Sequence, residues 1–260
     1  MNKDFTLLFC SCDQYECLWD GFFKLLKKYW PSFDSPVVLN TEEKSFEYPG
    51  FSIRRPNSTM AGYTWSECMI CCLNEIETPY ILLMLDDDYL KSPVDDLTFQ
   101  DSICILKNHP EIGSITFASE PGPNYPLSWD NRFEKRGRFA RYRVNAQIGL
   151  WRKDYLQKIL RPSETPWQFE LNGSFRSSWM SPSILSLKKE ASLVFDYDWG
   201  FLMVRGSINP QLKDYFHNKE GITINFDVPQ KDTSNQRHRP LRLFRLMKYG
   251  WDMVMSVFSR

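Results

Sequence analysis

The stretch Tyr80-Ile81-Leu82-Leu83-Met84-Leu85-Asp86-Asp87-Asp88 decides how this chain folds. Six largely apolar residues run on without a polar break, and three aspartates end the run. Without alternation, such a run predicts a strand covered on both faces, hence a central parallel strand. The aspartates then fall at its carboxyl end.

Upstream, Phe5–Cys10 is a second compact apolar run and predicts a buried strand, ending at Ser11-Cys12-Asp13-Gln14. A helix is expected from Cys17 to Trp30, with Leu18, Phe22, Leu25, Leu26 and Tyr29 on one face and Pro31 as its stop. Ser35–Leu39, ending at Asn40, and Phe51–Arg54 predict two more strands. Thr64–Glu77 predicts a helix with Trp65, Met69, Cys72, Leu73 and Ile76 at helical spacing. Downstream come a helix over Asp95–Asn108 and a strand over Ile112–Ala118. A long Pro-, Gly- and charge-rich connection over Ser119–Arg138 has a length that usually carries function. Phe139–Val144 and Gln147–Trp151 look strand-like, and Lys153–Leu160 looks like a short helix. Pro166 opens a further helix from its first position. Leu193–Tyr197 and Phe201–Arg205 read as a hairpin through Asp198-Trp199-Gly200, and Asn209–His217 as a short helix.

Strand, helix, strand, strand, helix, strand is the grammar of an α/β fold with a mostly parallel open sheet flanked by helices. Ligands of such sheets bind beyond the carboxyl ends of the strands. Asp13, Asn40 and the aspartate triplet therefore should meet in one crevice. The expected organisation is a main domain over 1–229, in two halves of about 1–120 and about 121–229. A linker over 230–239 and a basic amphipathic C-terminal helix over Pro240–Arg260 complete it. That helix places Leu243, Met247, Trp251 and Val254 on one side and Arg242, Arg245 and Lys248 on the other. It could lie on the inner face of a membrane, or pack on the domain or against a second subunit as a homodimer contact.

Bulk composition agrees with an ordinary globular protein. The 260 residues suit one large α/β domain, 42% hydrophobic and 25% charged. The formal net charge is zero, which argues against a nucleic-acid partner bound by counterion release. No run approaches the length needed to span a bilayer, and the N-terminal run is too short for a signal peptide, so a cytoplasmic location is expected. The seven cysteines fit small buried residues better than zinc ligands, because neither cluster has the paired turn spacing of a zinc ribbon.

Three adjacent carboxylates at the end of a buried strand repel one another and are costly to desolvate. A hard divalent cation, Mg²⁺ or Mn²⁺, offsets both costs, and such an ion completes its shell with substrate phosphates. A solvated loop of helix-capping acids is the bland alternative.

Leu85-Asp86-Asp87-Asp88-Tyr89-Leu90 resembles the Asp-x-Asp motif of glycosyltransferases with the GT-A (Rossmann-like) fold, over roughly residues 5 to 225. Asn145–Arg152 and Pro166–Glu170 resemble segments of glycosyltransferases that build bacterial capsule and lipopolysaccharide. The resemblance implies a nucleotide-sugar donor, with UDP the commonest nucleotide, and a glycan or lipid-linked acceptor in surface polysaccharide synthesis. It makes Asp88 the metal ligand, Asp86 a ribose-side or second metal partner, and Asp87 a replaceable middle residue. Ser11, Asp13 and Asn40, with the loop 57–63, lie beside the nucleotide. Glu170 matches the place of the base in inverting members, although Leu171 stands where many of them carry a second acid. His217 could complete the metal shell and Arg205 could meet the diphosphate, each against the plainer reading of a surface charge. Arg136, Arg138, Arg141 and Arg143 read either as a groove for acceptor or phosphate or as a solvated face. A sugar-phosphate nucleotidyltransferase is the rival enzyme, but it normally needs a Gly-rich loop after the first strand, and Ser11–Tyr15 has no glycine. A catalytically inactive glycan-binding scaffold is the non-enzyme alternative.

Overall fold

The computed structural model describes residues 4–119, 122–197, 202–204 and 207–225. Arg205, the 198–200 turn, the 230–239 linker and the helix expected over 240–260 lie outside them.

The first strand, β1 (Phe5–Cys10), lies inside the sheet rather than at its edge. It pairs in parallel with β2 (Val37–Asn40) on one side and with β4 (Tyr80–Leu85) on the other, while β3 (Ile53–Arg54) extends the sheet beyond β2. Phe5, Leu7 and Phe9 pack into one core with Tyr80, Leu82 and Met84, and Leu8 and Cys10 pack into a second with Ile81 and Leu83. Each strand thus buries both faces, which is why its sequence does not alternate. Helices α1 (Trp19–Tyr29) and α3 (Asp96–Asn108) contribute to the first core, through Trp19, Phe22, Phe99 and Leu106. Helices α2 (Trp65–Glu75), α4 (Lys153–Ile159) and α5 (Pro166–Ser177) contribute to the second, through Met69, Leu156 and Phe169.

Two helices start on reciprocal capping boxes. Thr64 accepts from the Glu67 amide at the start of α2, and the Glu67 carboxylate accepts from the Thr64 amide in return. Thr165 and Gln168 make the same exchange at α5, with Pro166 in the first helical position.

The sheet continues past β4 through β8 (Gly149–Arg152), β5 (Ile112–Thr116), β9 (Ser183–Leu187), β7 (Phe133–Arg136) and β6 (Asn124–Pro126). Most strands run one way, and β8 and β7 oppose their neighbours.

Several expectations need correction. The connection 119–138 is not structureless, because β6 and β7 form a hairpin that adds to the sheet edge. Residues 139–144 are a turn rather than a strand, with Tyr142 at φ 51°. Residues 193–197 form no strand and bend at 194–195, and the nearby two-stranded piece is made instead by β10 (Met203–Val204) and β11 (Ser207–Ile208). The first helix is preceded by a 3-10 turn, Asp13–Leu18. The last, α6 (Pro210–Tyr215), stops short of His217 and passes into a π-helical turn, Phe216–Glu220. Among the described residues no helix is long and apolar enough to cross a membrane.

Candidate active site

Sheet register sets the site. Cys10 stands opposite Leu85 on one side and Asn40 on the other, so Ser11 and Asp86 leave the sheet together at the carboxyl ends of β1 and β4. The strand order reverses between these two strands, the place where open α/β sheets form their ligand crevice. A cavity of about 1040 Å³ opens there, lined by Ser11, Asp86, Asp87, Asp88 and Glu170 among others.

The triplet forms a turn rather than an extended strand end. The Asp86 amide donates to the Cys10 carbonyl, which keeps the turn tied to β1. One carboxylate oxygen of Asp88 accepts from the Leu85 amide at 2.7 Å, closing the turn and leaving the other oxygen uncommitted to it. Asp86 accepts from the Ser11 hydroxyl, which in turn accepts from the Trp19 indole N–H at 2.6 Å. Trp19 therefore orients Ser11, and Ser11 orients Asp86. Behind the turn, the Tyr89 hydroxyl donates to the Leu18 carbonyl at 2.6 Å, anchoring it to the start of α1.

Burial dominates the electrostatics. It pushes the Asp86 carboxyl up to about 8, and the charge of Asp87 adds to the effect against the opposing Ser11 bond. Burial raises Asp87 and Asp88 as well, with Asp87 again adding to the shift at Asp88. Asp86 and Asp88 are both buried, whereas Asp87 is half-buried. The charged residues lining the cavity are all acidic, Asp196 included, and among the described residues no Lys, Arg or His lines it.

This donor set fits a divalent metal of the Mg²⁺ or Mn²⁺ kind. Its oxygens are hard, its buried acids have no Lys, Arg or His beside them in the cavity lining among the described residues, and such ions take one or two protein carboxylates with phosphate oxygens completing the shell. Among the described residues no group of three or more His, Cys, Asp or Glu forms a ready-made metal cage.

Glu170 sits in the second turn of α5 and faces the same cavity. One carboxylate oxygen accepts from the Ala146 amide at 2.9 Å, and burial raises its pKa against that bond. The segments 145–152 and 166–170, distant in sequence, thus meet at this contact. A buried bidentate pair, Arg176 with Glu164 at 2.7 Å, braces the helix. Glu164 also holds Asn172, and its backbone locks onto Ser66 at the start of α2.

Other expected site residues lie elsewhere. The Asp13 carboxylate accepts from the Glu43 and Lys44 amides and organises the loop after β2. Asn40 is fully buried, takes the Cys72 thiol at 3.8 Å and does not line the cavity. His217 is exposed, hydrogen-bonds with Thr223 at 3.3 Å and is not in the lining. Arg136 and Arg143 are neither a solvated face nor a groove. They are buried, and they hold the 136–143 turn through the carbonyls of Arg141, Tyr142, Arg136 and Gly137. The residues missed from sequence are Trp19, and Gln147 with Tyr197, whose side chains hydrogen-bond at 2.8 Å in the cavity wall. Nothing in a lone aromatic or amide at those positions distinguishes it from core.

No protein-family model and no curated protein matches the sequence. Among solved structures, residues 1–349 of TarS from S. aureus match with a TM-score of 0.53 at 13% identity, over 98% of this chain and 81% of that one. A longer TarS structure matches at 0.49 and 14% identity, over 72% of this chain and 36% of that one, so this chain spans about a third of its length. A structure of TarS 1–349 in complex with UDP matches at 0.49 and 15% identity, over 72% and 59%.

Proposed function

We propose that this chain, which has the GT-A fold it shares with TarS residues 1–349, is a metal-dependent, inverting glycosyltransferase. It moves a sugar from a nucleoside-diphosphate donor, a UDP-sugar, to a hydroxyl of a glycan or lipid-linked acceptor in surface polysaccharide synthesis. The carrying observation is that the buried acid turn 86–88 and the carboxylate of Glu170 face one cavity at the sheet's crossover point. That TarS is also seen with UDP and with UDP-GlcNAc supports the choice of donor.

Transfer needs two things at once: a base for the attacking hydroxyl and neutralisation of the departing diphosphate. Glu170 suits the first. Its Ala146 bond fixes the carboxylate, and partial burial raises its affinity for a proton. The acceptor oxygen bonds to the anomeric carbon as its proton passes to Glu170, and the bond from that carbon to the diphosphate oxygen breaks. Asp88 and Asp86 would hold a divalent cation whose charge offsets that of the diphosphate. Ser11 and Trp19 keep the Asp86 carboxylate turned to the cavity.

The test is a panel of nucleotide sugars with Mn²⁺, comparing the wild type with Glu170→Gln. The variant should bind UDP normally and lose transfer by about 10²- to 10⁴-fold, the usual worth of a positioned base. Near-normal turnover would remove Glu170 from that role.

A further inference from the structure

One part of the cavity wall is carboxylate, and another is aromatic. Trp65, Pro166 and Trp167 line it beside Glu170. Trp65 belongs to the wall itself, since its ring packs on Phe169 at 5.3 Å. Trp167 differs: it is 74% exposed although it lines the cavity. It occupies the second position of α5, three residues before Glu170, so the two side chains share one helix face about a turn apart. An indole left open to solvent forgoes a large burial gain. Here it lines the same cavity as Glu170, about one helical turn away.

Charge narrows what could cover it. Among the described residues every charged group lining the cavity is acidic. A phosphorylated or carboxylated acceptor would find no Lys, Arg or His among the described lining residues to pair with beside Glu170, whereas an uncharged one needs none. A flat apolar surface beside a proton acceptor matches a ring with C–H groups on its face and hydroxyls at its rim.

We propose that Trp167 is an acceptor-binding platform, and that the acceptor presents an uncharged pyranose whose face stacks on the indole while one hydroxyl reaches Glu170. This inference rests on the glycosyl-transfer reading above and specifies its acceptor.

The experiment is saturation-transfer NMR on the full chain with Mg²⁺, which is diamagnetic, and UDP. The probes are methyl glycosides of common neutral hexoses and the corresponding hexose 6-phosphates. Ring protons of at least one neutral glycoside should receive saturation, and the 6-phosphates should bind more weakly. Trp167→Ala should weaken glycoside binding about tenfold with UDP still bound, and Trp167→Phe should keep most of it. Trp129→Ala, at an exposed ring stacked on His109 outside the cavity, should change nothing. The proposal is overturned if UDP binds but no neutral glycoside does, if Trp167→Ala binds glycosides as the wild type does, or if the 6-phosphates bind more tightly. Failure of the wild type to bind UDP at all would sink the glycosyl-transfer reading, and this inference with it.

Discussion

Replacing Asp86 by Asn tests whether the site stores uncompensated negative charge. In the folded protein burial lifts this carboxyl from 3.8 to about 8. The unfolded chain releases the proton near the ordinary value, so between about pH 4 and pH 8 only the folded state holds it. A raised pKa gives stability that is full below the unfolded value and is lost as pH rises through the folded one. Each unit corresponds to about 1.4 kcal/mol, so roughly four units amount to ~6 kcal/mol lost above pH 8. That is comparable with the whole stability of many domains. Asn cannot ionise and keeps a side-chain oxygen for Ser11. The metal-free variant should therefore match the wild type near pH 4 and exceed it by several kcal/mol at pH 8.5, a rise of about 10 °C or more in Tm at this chain length. Urea unfolding in EDTA at pH 4.5, 6.5 and 8.5 measures it. A variant no more stable than the wild type at pH 8.5 would refute the reasoning, because the carboxylate would then have its compensation inside the protein.

Arg176→Met should leave Glu164 buried without its partner and cost about 3–5 kcal/mol, read as a lower urea midpoint. Glu164→Gln in the same chain should recover part of the loss. Gly21→Ala should put a methyl against the Tyr89 hydroxyl and Ile222, costing roughly 1–3 kcal/mol in thermal unfolding. Tyr89→Phe in addition should relieve some of that cost.

The buried centre of the sheet was legible because its sequence has a single physical cause. Tyr80–Leu85 and Phe5–Cys10 carry no alternation because two helical layers cover them, and both strands fall where expected. The helix after Thr64 was legible through its apolar spacing, and the helix after Thr165 through Pro166 at its first position. The far edge was not. Strands β6 and β7 are short and mixed in polarity, with exposed Tyr125 and a buried Arg136, so no periodicity announces them. Residues 139–144 have strand-like composition, but Arg136 and Arg143 recruit their surrounding carbonyls into a turn. Within the site, Asp86, Asp88, Ser11 and Glu170 were legible as acids and a hydroxyl at element ends, and they converge. Asp13 and Asn40 stand at strand ends too, yet local amides and a thiol engage them first. Position at a strand end marks a candidate, and competing local hydrogen bonds decide whether it faces the ligand.

The central claim is that the acid turn binds a nucleoside diphosphate through a divalent metal. Its most direct test is thermal unfolding of the wild type and Asp88→Ala with UDP, with and without Mn²⁺, since a ligand bound only to the folded state raises its stability. UDP should raise the wild-type Tm only with Mn²⁺ present and leave Asp88→Ala unmoved. An equal rise without Mn²⁺, or one that survives in Asp88→Ala, would contradict it.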